Sequence, residues 1–207
     1  MENDVFNLIA NKYDTKDRRD LAQNIVSAIK PELSNSKDKS LVDYGGGTGL
    51  VGLELLPFID SLLLVDSSEQ MLKAAGEKIR QANIKNAKTL RADFSESNPD
   101  IKADIIVASL VLLHIPDTEK ILRQFYSVLN TGGKLIIVDF DKNEKVSHPA
   151  VHNGFTQIGL RSLLTDAGFK EISIKTFYHG KNIFMNQDAS MLIAAGIKPA
   201  GPDSKTP

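Results

Sequence analysis

Five glycines fall within residues 41–52 (LVDYGGGTGLVG), directly after a short apolar run. Glycine lets the backbone adopt left-handed conformations and approach a ligand closely, because no side chain covers its amide group. A turn of this kind that leads into a helix also presents the helix N-terminus to a polar ligand. Residues 47–52 (GTGLVG) fit the dinucleotide pattern GxGxxG, a pattern that alone is weakly specific. The stretch predicts a nucleotide-like cofactor, with a turn that binds no nucleotide as the alternative.

Two acidic residues follow the next two apolar runs, where ligands of open α/β sheets bind. Asp66 comes nineteen residues after Gly47, at the position expected for an acid that holds ribose hydroxyls. Asp93 is followed by Phe94, so that a carboxylate can accept from the exocyclic amine of adenine while an aromatic ring covers the base. The competing interpretation of Asp93 is a carboxylate that caps its strand. Together the two acids favour a cofactor that contains adenosine.

The elements that must position these residues are short apolar runs that alternate with stretches of helical periodicity. The runs predict parallel strands buried on both faces, at residues 40–44, 61–66, 87–93, 103–110 and 133–140. Helices are predicted between them, at residues 49–56, 68–82 and 117–129, the last followed by a glycine-bearing stop at residues 130–133. Repeated strand–helix–strand units predict a doubly wound α/β sheet whose functional residues lie just after each strand.

Flanking segments extend this arrangement at both sides. A leading helix is predicted over residues 15–30, where apolar residues recur on one helical face. Downstream, the pattern predicts a helix over residues 154–169 and two strands over residues 170–180 and 190–197. A link of about a dozen residues favours antiparallel pairing of these strands, because a parallel return needs a longer crossover. Residues 198–207 are rich in proline and polar residues, which predicts disorder.

The composition excludes several kinds of chemistry. The 207 residues include no cysteine, which removes disulfides, thiolate zinc sites and cysteine nucleophiles. A net charge of −1 with scattered basic residues argues against a nucleic-acid partner, and we interpret the densest basic group, KDRR at residues 16–19, as the solvated face of a helix. The sequence contains no apolar run of ~20 residues, the length needed to span a bilayer, and its acidic start does not resemble a signal peptide. We therefore expect a cytoplasmic protein.

The chain resembles the class I S-adenosylmethionine-dependent methyltransferases, in particular the small-molecule branch that includes the ubiquinone and menaquinone biosynthesis methyltransferases. The matching segments are LVDYGGGTGLVGLEL, LLLVDSSEQMLKAA, LRADF, ADIIVASLVLLHIPD, LNTGGKLIIVDF and LRSLLTDAGFKEISIKTFY. The resemblance implies a doubly wound, Rossmann-like seven-stranded sheet, mostly parallel with an antiparallel C-terminal hairpin strand, and helices on both faces. Residues 1–39 would then form an N-terminal helical cap, residues 40–197 the methyltransferase domain and residues 198–207 the disordered tail.

The resemblance also implies S-adenosylmethionine as the cofactor. The glycine turn with Asp43 would approach its methionine portion, together with the residues after the fourth strand. Asp66 and its neighbours would hold the ribose, and Asp93 with Phe94 would read adenine. Tyr13, before the leading helix, would help to close the cleft or would pack at the helix start. The implied cofactor-binding set is Tyr13, Asp43, Gly45, Gly47, Gly49, Asp66, Ser67, Met71, Asp93, Phe94, Ser109 and Leu110.

Methyl transfer from a sulfonium donor mainly requires that nucleophile, methyl carbon and sulfur be held in line. A general base would assist a hydroxyl or carbon nucleophile. His114 and His152 are the candidates, with orientation of its own loop as the alternative role of His114. His148 and His152 do not predict a metal site, because Pro149 disfavours the helix that would align them and no third ligand is evident.

The acceptor is expected to be a small organic molecule methylated on oxygen, nitrogen or carbon. Residues 109–114 (SLVLLH) lack the Asn/Asp-Pro-Pro-aromatic turn typical of amino methyltransferases that act on adenine or glutamine. The absence of cysteine excludes methylation of cytosine C5 through a thiolate adduct. A nicotinamide-dependent oxidoreductase and a non-catalytic protein that binds S-adenosylmethionine are the competing hypotheses. The sequence leaves open whether the protein is a monomer or a homodimer.

Overall fold

The computed structural model describes residues 6, 10–96, 100–149 and 151–200. Across the sheet the seven strands follow the order β3-β2-β1-β4-β5-β7-β6, and β7 runs antiparallel to both of its neighbours while the other pairs are parallel. The predicted doubly wound, mostly parallel sheet with an antiparallel C-terminal hairpin strand is confirmed. The strands in these residues are β1 (Ser40–Tyr44), β2 (Ser61–Asp66), β3 (Ala87–Arg91), β4 (Ala103–Ser109), β5 (Leu129–Phe140), β6 (Lys170–Phe184) and β7 (Gln187–Ile197).

Local capping fixes where the longer helices begin. The α-helices of the described residues are α1 (Lys16–Ile29), α2 (Gly52–Leu55), α3 (Glu69–Gln81), α4 (Thr118–Val128) and α5 (Gln157–Asp166). In every helix except α2, the N-cap side chain accepts a hydrogen bond from the backbone N–H three residues further on. This bond satisfies an amide that the first helical turn leaves unpaired. The four N-cap residues are Thr15, Ser68, Asp117 and Thr156.

Helices cover both faces of the sheet, as predicted. One apolar cluster joins the sheet to Ile25 of α1, Leu55 of α2 and Leu72 of α3. A second cluster, on the opposite face, contains Phe125 of α4 and Leu160 of α5. Because both faces are covered, the inner strands read as continuous apolar runs rather than as alternating ones.

The predicted glycine stop at residues 130–133 is wrong. Strand β5 begins at Leu129, directly after α4, and the Leu129 side chain is buried in the core. A β-carbon on Gly133 would lie 2.8 Å from the carbonyl oxygen of Asn130. This glycine therefore permits close backbone packing inside a strand instead of ending a helix.

The C-terminal hairpin has longer strands and a shorter turn than the sequence suggested. β6 ends at Phe184 and β7 begins at Gln187, so the link is Met185 and Asn186 instead of about a dozen residues. Both linking residues have positive φ, at 50° and 60°, as the twisted turns of two-residue hairpins require. The predicted antiparallel pairing is confirmed.

The ends of the predicted segments are described only in part. Residues 1–5 and 7–9 of the predicted cap and residues 201–207 of the predicted tail lie outside the described residues. Lys198 Nζ donates to the carbonyl oxygens of Tyr126 and Leu129, at 2.7 and 2.8 Å, so the chain stays attached to the sheet at that point. In the described part of the chain, no helix is both long and apolar enough to cross a membrane.

Candidate functional site

A cavity of about 370 Å³ opens at the carboxyl ends of the central strands, next to the glycine turn. This is the edge of the sheet where open α/β folds bind their ligands. The structure brings ten of the predicted site residues to the cavity wall, while Asp43, Gly49, Phe94 and His152 lie elsewhere. The ten are Tyr13, Gly45, Gly47, Asp66, Ser67, Met71, Asp93, Ser109, Leu110 and His114.

The glycine turn after β1 takes backbone conformations that favour glycine. Gly45, Gly47 and Gly49 have φ values of +71°, +53° and +81°, which side-chain-bearing residues rarely adopt. A β-carbon on Gly45 would lie 2.4 Å from Cγ2 of Val111, so that position has no room for a side chain. A β-carbon on Gly47 would have its nearest atoms, among them an oxygen of Asp66, at 4.0 Å. Gly47 therefore leaves its backbone open towards the cavity.

Asp43 lies beneath the glycine turn and not on the cavity wall. Its side chain is fully buried, and β-carbons on Gly46 and Gly52 would lie 3.0 and 2.5 Å from its Oδ2. Burial raises the pKa of Asp43 to about 7, although the backbone N–H of Gly52 acts in the opposite direction. Neither carboxylate oxygen has a hydrogen-bond partner of normal geometry within the described residues. The predicted approach of Asp43 to the cofactor is therefore corrected, because the turn itself covers the carboxylate.

Asp66 joins the end of β2 to the glycine turn. Its Oδ2 accepts from the backbone N–H of Gly47 at 2.9 Å, and its Oδ1 accepts from that of Ser68 at 2.8 Å. Burial raises the pKa of Asp66, while these two N–H groups lower it. Ser67 and Met71 lie beside it on the cavity wall. A carboxylate held in this way has both oxygens fixed and still faces the cavity, where it can accept from ligand hydroxyls.

Asp93 is held by two neighbours that the sequence analysis missed. Its Oδ1 accepts from the Tyr44 hydroxyl at 3.2 Å, and from the backbone N–H and hydroxyl of Ser95 at 2.8 and 2.6 Å. Tyr44 and Ser95 line the cavity together with Asp93. Burial, and secondly the nearby Asp93 carboxylate, raise the pKa of Tyr44, so that its hydroxyl remains a donor. The signal for Tyr44 was its position next to Asp43, at the end of a central strand.

The predicted role of Phe94 over an adenine base is wrong. Its side chain is fully buried in the apolar cluster on the α4 and α5 face of the sheet. Its ring centroid lies 4.7 Å from that of Tyr44 and 6.3 Å from that of Phe125. The chain turns directly after β3, so Asp93 faces the cavity while the next side chain points into the core.

The loop after β4 forms another part of the cavity wall. Leu110 has a φ of +52°, and its backbone N–H donates to the carbonyl oxygen of Val138 at 2.8 Å. Ser109 and His114 line the cavity on either side of this bend, as predicted for Ser109. The imidazole of His114 meets the ring of Phe6 edge to face, with centroids 5.5 Å apart. His114 is therefore a titratable group that faces the cavity between apolar neighbours.

Two residues outside the cavity support this loop from behind. Asp139 is fully buried, and its carboxylate accepts from the backbone N–H groups of Leu113 and Phe140, at 3.2 and 2.8 Å. Burial raises the pKa of Asp139 to about 7 against the effect of these hydrogen bonds. His152 Nε2 lies 2.8 Å from the carbonyl oxygen of Ile115, and its backbone N–H donates to Leu113. His152 was predicted to face the acceptor, but its ring hydrogen-bonds to the loop and does not line the cavity.

Another part of the cavity wall comes from the start of α1 and the residues before it. The Arg18 guanidinium carbon lies 4.0 Å from the centre of the Tyr13 ring, and its Nη1 donates to the Tyr13 carbonyl at 3.0 Å. Burial raises the pKa of the Tyr13 hydroxyl, against the effect of Arg18. Residues 16–19 are exposed on α1, as predicted for the solvated face of a helix, and Arg18 in addition lines the cavity with Leu21 and Ile25.

The sheet order, the glycine turn and the two acids at neighbouring strand ends define an α/β protein that binds a nucleotide-like cofactor. A family model described as a methyltransferase domain matches residues 35–186. The chain belongs to this methyltransferase-domain family. The matched range contains every predicted site residue apart from Tyr13.

Individual relatives match the chain at low sequence identity. The chain is 26% identical over 155 residues to an uncharacterized methyltransferase of Schizosaccharomyces pombe, which covers 65% of this chain and 55% of that protein. It is 29% identical over 148 residues to the ubiquinone/menaquinone biosynthesis C-methyltransferase of Citrobacter koseri, and this match covers 67% of this chain and 58% of that protein. The chain thus spans little more than half the length of these relatives. Phosphoethanolamine N-methyltransferase 2 of Haemonchus contortus, solved with S-adenosyl-L-methionine, shares the fold with a TM-score of 0.70 at 16% identity, over 86% of this chain and 52% of that one.

Proposed function

We propose that the protein is an S-adenosylmethionine-dependent methyltransferase that acts on a small-molecule acceptor. The observation that carries this proposal is the presence of Asp66, Asp93 and the open backbone of Gly47 on one cavity wall. Membership of the methyltransferase-domain family supports the same reaction. The near-neutral charge supports a small acceptor over a nucleic acid. The cytoplasmic location and the choice between monomer and homodimer remain predictions.

The cavity residues fit the parts of this cofactor by their chemistry. Asp66 would accept from the ribose hydroxyls, and Asp93 from the exocyclic amine of adenine. The backbone at Gly45 and Gly47, together with Ser109 and Leu110, would contact the methionine portion. Glycine at residue 47 fits this role, since a side chain there would project into the cavity beside Asp66.

The cofactor would supply an electrophilic methyl group on a sulfonium, so the protein mainly has to bind and orient. Correct orientation of the reactants alone can contribute on the order of 7–11 kcal/mol to lowering the barrier. Apolar side chains of the cavity wall, namely Leu21, Ile25 and Val111, would exclude water from the acceptor. His114 would accept a proton from a hydroxyl or carbon nucleophile. Oxygen, nitrogen and carbon all remain open as the methylated atom.

Thermal unfolding with two classes of cofactor tests the proposal. We expect S-adenosylhomocysteine, at about 100 times its Kd, to stabilise the protein by about 2.7 kcal/mol, or roughly 5–10 °C in Tm for a chain of this size. NAD⁺ and NADH at the same concentrations should leave Tm unchanged. The opposite pattern would support the nicotinamide-dependent oxidoreductase. Binding without transfer of a labelled methyl group to any compound of a metabolite extract would support the non-catalytic alternative.

Substitutions of His114 and His152 are expected to distinguish a catalytic residue from one that supports the loop. With the acceptor found in that extract, we expect His114→Ala to lower turnover by about 10²-fold or more if the nucleophile is oxygen or carbon, while the Kd for S-adenosylhomocysteine changes little. His152→Ala should instead lower the free energy of unfolding by about 1 kcal/mol, because the Ile115 carbonyl loses its partner. Stopped methyl-transfer assays measure turnover, and urea titrations measure the free energy of unfolding. Normal turnover in His114→Ala with an oxygen or carbon acceptor would assign that residue to loop structure.

A further inference from the structure

Asp14, two residues before α1, has both carboxylate oxygens bonded to other parts of the fold. Its Oδ1 accepts from the Thr48 hydroxyl at 2.5 Å, and its Oδ2 forms an ion pair with Lys78 Nζ at 2.5 Å. Lys78 Nζ also donates to the carbonyl oxygen of Thr48 at 2.7 Å. Asp14, Thr48 and Lys78 thus form a closed set of three contacts, the Asp14 clasp, which joins the chain before α1 to the glycine turn and to α3.

The clasp is more sheltered from water than the neighbouring Lys16–Asp20 ion pair of α1. The Asp14 and Lys78 side chains are 27% and 35% exposed, and Thr48 is buried. The Lys16–Asp20 pair in α1 has exposures of 82% and 59%. Exposed pairs contribute little to stability, whereas partly desolvated, charge-assisted hydrogen bonds are stronger. The clasp is thus a polar contact that fastens the chain before α1 to the cofactor side of the fold.

One end of the clasp, Thr48, lines the cavity itself, and the other end, Asp14, is one residue away from the cavity wall. Thr48 follows Gly47, whose N–H donates to Asp66. Asp14 follows Tyr13, whose carbonyl accepts from Arg18 and whose ring lies under the Arg18 guanidinium. The clasp consequently links the wall formed by Tyr13 and Arg18 to the wall that holds Asp66.

We propose that Asp14 is a positioning residue, which holds Tyr13 and Arg18 over the cavity through the Asp14 clasp and couples the docking of residues 10–15 to cofactor affinity. This inference rests on the proposed function, because the coupled ligand is the S-adenosyl cofactor. Coupling between two events is reciprocal. Docking of residues 10–15 strengthens cofactor binding, and cofactor binding shifts residues 10–15 towards the docked state.

Limited trypsin digestion tests the docking without any ligand. Lys12 is exposed, so cleavage of the Lys12–Tyr13 bond reports how often the chain before α1 leaves the fold. We expect Asp14→Asn and Lys78→Met to accelerate this cleavage by about fivefold or more, as followed by mass spectrometry. Lys73→Met, which removes an exposed charge from the same helix, is the matched control and should cleave as the unaltered protein does. Unchanged cleavage in both clasp variants would overturn the proposal.

Calorimetry with S-adenosylhomocysteine tests the coupling. We expect each clasp variant to raise the Kd by about fivefold or more. The Kd of the double variant should exceed that of either single variant by no more than about twofold, because both substitutions remove the same contact. S-adenosylhomocysteine should protect the Lys12–Tyr13 bond in the unaltered protein and protect it less in Asp14→Asn. A purely structural role would change Tm and leave this protection intact.

The failures of the two proposals are distinguishable. Faster cleavage of the clasp variants with an unchanged Kd would overturn the coupling and leave the methyltransferase proposal standing. If the unaltered protein does not bind S-adenosylhomocysteine at all, the proposed function fails, and the coupling fails with it. Circular dichroism of each variant establishes that it is folded before either comparison is made.

Discussion

Replacement of Asp66 by alanine is expected to weaken the binding of S-adenosylhomocysteine by at least about tenfold. Ribose hydroxyls would lose a carboxylate acceptor, and hydrogen bonds to a charged group contribute about 1.5–3 kcal/mol. The change would also leave the N–H groups of Gly47 and Ser68 without their present acceptor, which loosens the glycine turn. Isothermal titration calorimetry measures the Kd directly. Asp66→Asn, which keeps one carbonyl oxygen, should show an intermediate loss.

Asp60→Ala is the matched control for Asp66. Asp60 precedes β2, at the opposite end of the strand that Asp66 ends, and it is exposed. Its removal takes away the same charge and should leave the Kd for S-adenosylhomocysteine unchanged. An unaltered Kd in Asp66→Ala, in a variant that circular dichroism shows to be folded, would remove Asp66 from the binding site.

Gly45→Ala is expected to lower the free energy of unfolding by roughly 2–5 kcal/mol. One part of this cost is the left-handed backbone, at a φ of +71°, and the other is the contact of 2.4 Å that a β-carbon would make with Val111. Val111 is β-branched and stiff, so it cannot turn away easily. Urea denaturation followed by circular dichroism measures the loss.

Gly76→Ala is also a glycine-to-alanine substitution, but it is expected to stabilise the protein. Gly76 lies inside α3, and beyond the backbone of its own helix and its chain neighbours a β-carbon there would meet no atom of the described residues within 4 Å. Alanine in a helix interior is favoured over glycine, so this variant should gain about 0.5–1 kcal/mol. Equal effects of the two substitutions would show that the glycine turn is not as tightly constrained as its geometry indicates.

The parts of the site that the sequence predicted are those that lie at the ends of buried strands. Apolar runs mark where parallel strands stop, so the sequence alone places Asp66 and Asp93 at one edge of the sheet. The side to which Phe94 points could not be predicted, since it depends on the turn of the chain after β3. Tyr44 was missed although it ends β1, because its contact with Asp93 joins residues 49 apart in the sequence.

Sequence patterns could not predict the residues that act through tertiary contacts. Arg18 belongs to a basic group that periodicity assigns to solvent, and only the packing of α1 against the sheet brings it to the cavity. His152 is 37 residues away from its partner Ile115 in the sequence. Asp14 likewise meets Thr48 and Lys78 across 34 and 64 residues. Such pairings follow from strand order, and a single chain read residue by residue contains no local signal for them.

The position of β7 between β5 and β6 has a consequence for how the chain folds during synthesis. β6 leaves the ribosome before β7, yet in the described sheet β6 pairs with β7 alone. The edge of β5, with Ile136 and Val138 among its buried residues, therefore remains unpaired until residues 187–197 have emerged. Open apolar strand edges promote aggregation of incomplete chains. Nascent chains that stall before β7 should consequently depend on chaperones, although the glycine turn and the cofactor side of the sheet are already complete.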